Sequence, residues 1–192
     1  GPWVVAADIP EILSAIRYAH RRGAVIVAAA GNYDPGHRHL VVYPARAGGV
    51  IAVGATTRWG CRSSYSSYGS DLDVVAPGGG MPAKPTTPQE AGLCIRRWGG
   101  SIFQETFLND SVRTFGLPRD YRGTSMASPH VAAIAALIIA SRKLGDNPDP
   151  ELVQAHIQAT ARDLGRPGFD SRYGWGLVDA ARALRCPPLT AC

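Results

Sequence analysis

No apolar run in the 192-residue chain is long enough to span a bilayer; the longest, Val131 to Ala140, is too short and reads as part of a buried helix. A membrane partner is therefore excluded at this level of reading. The chain also lacks any block of like charge. It carries a net charge of +5 and a pI near 9.3, yet its basic residues are scattered and aromatics make up only 8%. Without basic residues interleaved with aromatics, no nucleic-acid partner is expected. Cys61, Cys94, Cys186 and Cys192 form no CxxC and no Cys/His metal spacing, which excludes the common structural zinc sites. They allow three disulfide pairings or four independent thiols, and an exported protein would favour at least one bridge. The opening "GPWVVAADIPEI" has neither the basic start nor the small-residue cleavage site of a signal peptide, so the natural start is expected upstream.

What is present suits a single core. With 45% hydrophobic residues and a mass of 20.3 kDa, the chain holds one domain or most of one. A helix is predicted from Ile9 to Arg22, with Asp8 as N-cap in a capping box with Glu11, Pro10 in the first turn, and an apolar stripe of Ile12, Ile16 and Ala19. "AVIVAAAGN" follows as a continuous small and β-branched run, the pattern of a parallel strand covered on both faces, ending at Gly31 and Asn32. "GVIAVGAT" and "LDVVAPG" repeat the theme of a strand closed by glycine or proline. Residues 79–100, rich in glycine and proline and without a clear period, read as a surface insertion, and "SIFQETF" as a returning strand. A long helix is expected from Thr124, a second from Pro150 to Ala161 capped by Asp149, and a short one over "GLVDAARAL", where Asp179 marks the start. Strands alternating with helices predict an α/β fold with a mostly parallel sheet, whose reactive groups gather at the carboxyl ends of the strands.

Asn32 and Ser125 both fall at such positions. A serine becomes a nucleophile only beside a base, and acyl transfer also needs donors aimed at the oxygen that turns negative. At a helix start the backbone N–H of Ser125 points outward, backed by the positive end of the helix dipole. The Asn32 amide, at the tip of a neighbouring strand, would complete a two-donor oxyanion hole. Gly123 would let substrate approach the backbone, and Pro129 would sit harmlessly in the first turn. "GTS" alone reads more readily as a helix cap.

The longer stretch changes that balance. "GTSMASPHVAA" (Gly123 to Ala133) resembles the serine-site signature of the subtilisin-like serine proteases, and "AAAGN" (Ala28 to Asn32) resembles their oxyanion-hole segment. "YPAR", "VIAVGAT", "SSYSSYGSDLDVVAPG" and "YGWGLVDAARAL" extend the likeness over nearly the whole chain. The resemblance implies a doubly wound, mostly parallel sheet flanked by helices and lacking its N-terminal strands, with residues 1–185 as a partial peptidase domain and residues 186–192 as a tail. It implies a serine endopeptidase acting on polypeptides through an acyl-enzyme on Ser125, with Asn32 as oxyanion donor. Ala29, Ala30 and Gly31 would line the pocket for the residue before the scissile bond, with Val42 near its base. No cofactor would be required for the chemistry. A structural calcium is allowed, held by Asp73 with the carbonyls of Pro44 and Arg46.

The family's aspartate and histidine motifs, "DTG"-like and "HGTHVAG"-like, do not occur in this chain. Both belong on the N-terminal side of the oxyanion segment, where 31 residues stand before Asn32, so a missing N-terminal portion of the same domain is the expected partner. His130 follows Ser125 by five residues, roughly 140° around a helix, so their side chains diverge and it reads as a packed histidine. His20 and His156 read as partly exposed, and His37 and His39 as loop residues with no aspartate to orient them. No base is assigned, and the isolated chain is expected to be inactive and poorly folded. Export is implied by the family likeness. The alternative reading is a pseudoprotease or peptide-binding module that keeps the cleft without the base.

Overall fold

The computed structural model describes residues 5–32, 40–94, 99–108, 111–190 and 192. Its first helix, α1 (Pro10–Arg21), begins on proline, whose fixed φ suits the first helical position. Asp8 does not cap it. Its carboxylate accepts the Val5 N–H at 3.0 Å and closes a single 3-10 turn over Ala6–Asp8, which leaves Ile9 at the N-cap. A short acidic side chain that can bond its own neighbouring backbone competes with the longer helix in this way. Ile16 is buried as expected, whereas Ile12 stands 49% exposed.

Three parallel strands form the sheet, β1 (Ile26–Ala29), β2 (Val50–Thr56) and β3 (Val74–Pro77), in the spatial order β1-β2-β3. β2 is buried at every residue, which accounts for an apolar run with no alternation. β1 is half-buried and, among the described residues, pairs only with β2, so full cover on both faces is not met there. The helix α3 (Thr124–Ala140) crosses the sheet and packs Val131, Ile134 and Ile138 against Ile51, Val53 and Val74. Two further helices, α4 (Pro150–Thr160) and α5 (Ala180–Arg185), contribute Val153, Ile157 and Ala183 to the same core. A second cluster of Val41, Ala45, Ala52, Leu72, Val75 and Tyr173 completes the packing. This is the expected α/β arrangement of a parallel sheet flanked by helices.

Polar groups fasten the elements together. Asp73 accepts the Ala52 N–H at 2.7 Å through Oδ2, and the side-chain amides of Gln154 and Gln158 at 2.9 and 2.8 Å through Oδ1. The carboxylate thus ties β2 to α4, and burial pushes its pKa up against the pull of those donors. His156 is not partly exposed but fully buried: Nε2 meets the Ala183 carbonyl at 2.8 Å and Nδ1 accepts the Leu189 N–H at 3.1 Å. Helix geometry turns this position inward beside Val153 and Ile157, and the two backbone partners make a buried imidazole tolerable. Asp179 starts α5 as expected, accepting the Arg182 N–H at 3.0 Å.

The segment 79–100 is more than a surface loop. Its helix α2 (Pro88–Leu93) is capped by Thr87, Cys94 is bonded to Cys61, and Cys186 pairs with Cys192, so no free thiol remains. Glu90, only 5% exposed, meets Arg172 Nε at 3.3 Å. Burial alone would raise the Glu90 carboxyl, but the Thr86 N–H, the Tyr173 and Thr86 hydroxyls and Arg172 outweigh it and hold it below the usual carboxylate range. The sequence concealed this because the ion pair spans 82 positions. After the segment, only the end of "SIFQETF" is a strand: residues 101–105 are irregular, and β4 (Thr106–Leu108) forms a hairpin with β5 (Ser111–Gly116) separate from the main sheet.

Because the Glu90 pKa is lowered on folding, its stabilisation is present above its unfolded value and is lost as the pH falls through the folded one. Glu90→Gln should therefore lower the unfolding free energy by about 2 kcal/mol near neutral pH, with the difference from wild type shrinking at acid pH, below the usual carboxylate range, in urea titrations. An equal cost at both pH values would show that the charge is not responsible.

Candidate active site

The site is assembled where the ends of β1 and β3 meet the start of α3. Gly123 occupies the N-cap of α3 with φ 151° and ψ 163°, in the region that favours glycine. Its N–H donates to the Gly78 carbonyl at 3.0 Å, just past β3. The half-buried Tyr65 hydroxyl sits 2.6 and 2.9 Å from the carbonyls of Gly78 and Gly79, and burial raises its pKa. A Cβ at Gly78 would lie 2.6 Å from that of Ala55, so this turn has no room for a larger residue. The turn and the helix start are thereby held in one register.

On the opposite flank, Asn32 locks onto Thr124. Its Oδ1 accepts the Thr124 N–H at 3.0 Å and the Thr124 hydroxyl at 3.1 Å, while Thr124 Oγ1 accepts the Gly31 N–H at 3.2 Å. A backbone N–H can only donate, so the amide atom facing it must be the oxygen. Nδ2 is consequently the end left to act as a donor, and it lies 3.4 Å from where a Cβ of Gly123 would stand. Thr124, fully buried, is a positioning residue that sequence reasoning missed; the signal was its place between Gly123 and Ser125.

Ser125 follows, exposed, at the second position of α3. Among the first four N–H groups of a helix none has an intrahelical partner, so the Ser125 N–H points out of the helix end. Pro129 is not in the first turn: it is the sixth residue of α3, where it removes the bond that would reach the Ser125 carbonyl. The Ser128 hydroxyl donates to that carbonyl instead, at 3.3 Å.

The expected pocket residues also gather. Ala30 is fully buried, and its carbonyl accepts the Val42 N–H at 3.0 Å. A Cβ at Gly31, whose φ is 110°, would meet Val42 Cγ2 at 2.9 Å, so Val42 lies directly against Gly31. Ala29 ends β1. Among the described residues, no histidine is brought to Ser125 by this arrangement. His130 bonds Met126 O at 2.9 Å, one turn back on its own helix, His20 faces Glu151 at 3.4 Å, and His156 is enclosed behind α4. His37 and His39 lie outside the described residues. Asp73 does not fit the calcium role: three N–H donors take its carboxylate, and the Pro44 carbonyl accepts the Ala47 N–H at 3.0 Å.

An exposed serine at a helix start, with an oriented amide beside it and a parallel sheet behind, is an arrangement suited to stabilising an oxyanion. The chain belongs to the subtilase family, whose profile, Peptidase_S8, matches residues 4–176. It is 36% identical over 171 residues to the M-protease of Shouchella clausii strain KSM-K16, covering 89% of this chain and 35% of that protein. Subtilisin Savinase of Lederbergia lenta is also 36% identical over 89% of the chain, which spans 50% of its length. The chain thus spans about half or less of these relatives. Among solved structures, a protease from Pseudoalteromonas arctica PAMC 21717 superimposes with a TM-score of 0.70 at 30% identity, covering 95% of this chain and 47% of that one. A lanthipeptide protease gives a TM-score of 0.65 at 26% identity, covering 93% and 55%.

Thr124→Val keeps the shape and the N–H but removes the hydroxyl that serves both Asn32 and Gly31. It should lower the unfolding free energy by about 1 kcal/mol in urea denaturation, since the part-buried Gly31 N–H loses its partner. An unchanged midpoint would remove Thr124 from the lock.

Proposed function

We propose that the chain is the nucleophile-bearing part of an exported serine endopeptidase that hydrolyses polypeptides. The observation that carries this reading is the Asn32–Thr124 lock, which leaves Asn32 Nδ2 as a donor beside the outward N–H of Ser125. Ser125 Oγ attacks the scissile carbonyl, and its proton passes to a base and then to the leaving amine. The two N–H donors hold the developing oxyanion, the acyl group remains on Ser125, and water releases it. Ala29, Ala30, Gly31 and Val42 receive the side chain before the scissile bond, where their small or apolar surfaces favour apolar residues.

The base and the aspartate that orients it belong to an N-terminal portion of the same domain, which adds strands at the β1 edge. Two features support this: β1 is paired on one side only among the described residues, and Leu137 and Ile139 of α3 stand exposed. Such a strand edge left open invites aggregation, so the isolated chain folds poorly and is inactive alone. Export is supported by the two disulfides, which persist in oxidising surroundings. No helix among the described residues is long and apolar enough to cross a membrane.

A fluorophosphonate probe tests the division of labour. The isolated chain should label slowly, and Ser125 should label rapidly once the aspartate- and histidine-bearing portion is present; fast stoichiometric labelling of the isolated chain would place the base within it. In that assembled enzyme Asn32→Leu should lower kcat by about a hundredfold or more, near 3 kcal/mol, with KM little changed. If the upstream coding sequence lacks both motifs, the pseudoprotease reading takes over.

A further inference from the structure

A cavity of about 470 Å³ is lined by Arg58, Pro77, Gly99 to Phe103, Arg119 and Asp120. The chain connects it to the turn that holds the start of α3. Pro77 ends β3, the Ile102 N–H donates to the Tyr121 carbonyl at 2.8 Å, and Gly123 is bonded to Gly78. Asn32 follows β1 and Pro77 closes β3, with β2 between them, so the pocket residues and the cavity flank the nucleophile from opposite sides. Two strand spacings are about 10 Å, the span of roughly three residues of extended peptide.

We infer that this cavity receives the leaving-group half of the substrate, binding an acidic side chain at the second or third residue after the scissile bond. The inference rests on the endopeptidase reading: if the acyl half lies along Ala30, Gly31 and Val42, the rest of the strand must emerge toward β3. Charge then selects the occupant. Arg58 and Arg119 are both exposed, and neither takes part in an ion pair among the described residues. The Arg58 guanidinium is stacked 4.4 Å above the Trp59 ring, which holds it at the rim. Asp120 supplies one opposing charge, so the lining remains net positive. Phe103, 73% exposed, adds an apolar surface for the neighbouring side chain. Gly99 and Gly100 come from the inserted segment, so this subsite is a consequence of that insertion.

The test separates the subsite from the chemistry. Hydrolysis of an acyl p-nitroanilide by the assembled enzyme, a substrate with no residues past the scissile bond, reads the endopeptidase assignment alone. Binding of fluorescent peptides to the Ser125→Ala form of the assembled enzyme, followed by anisotropy, reads the cavity alone. Peptides with Asp or Glu at the second and third leaving-side positions should bind about fivefold tighter than Lys counterparts, the preference fading at high salt. Arg58→Glu with Arg119→Glu should reverse the order, while Arg58→Lys with Arg119→Lys should preserve it. Equal binding of both peptide sets by wild-type arginines, or a preference untouched by the charge reversal, would overturn the inference even with p-nitroanilide hydrolysis intact.

Discussion

Everything at this site depends on a hydrogen bond that joins positions 92 apart in the chain. Asn32 Oδ1 accepts from Thr124, and in doing so fixes the end of β1 to the start of α3. One contact does two things. It fills a vacant donor at a helix start, which any acceptor would do, and it turns the amide so that its nitrogen faces away from Thr124. An aspartate could accept the same bonds but would bring negative charge where an anion must form. A leucine would fill the space and accept nothing. The residue type is therefore narrowed by two requirements that only an amide meets together.

The same start of α3 is held independently from the β3 side, by Gly123 against Gly78 and by Tyr65 beneath that turn. Two attachments on opposite flanks leave the first turn little freedom to rock. This matters because Pro129 has removed one rung of the helix ladder just behind Ser125, and the Ser128 hydroxyl replaces it only with a longer bond. The loss inside the helix is offset by fixation at its tip.

Much of the framework was legible in order along the chain. The apolar runs gave β2 and β3, the glycine and proline punctuation gave their ends, and the signature around Ser125 gave α3. Local signals erred where two nearby partners competed: Asp8 bonded Val5 rather than the helix, and Pro129 lay one turn deeper than its motif implied. The sequence was silent where partners lie far apart. Nothing near His156 announces the Ala183 carbonyl, nothing near Asp73 announces Gln154 and Gln158, and the pairing of Cys61 with Cys94 was one of three. Polar residues in a core are chosen by what faces them, and that is a property of the fold.

The inserted segment leaves and rejoins the domain through a narrow neck. The Gly80 N–H donates to the Gly100 carbonyl at 2.9 Å, and the Gly99 N–H returns to the Gly80 carbonyl at 2.8 Å. A Cβ at Gly99 would strike Thr57, so the two passing chains must both be bare at this point. With its base sealed, the excursion is closed like a drawstring, and the cost of extending it grows only with the logarithm of its length. The neck therefore separates two kinds of change in this protein: beyond it, residues outside the Glu90–Arg172 pair and the Cys61–Cys94 bridge can be gained, lost or exchanged, while the strand turn and the serine just inside it stay in place.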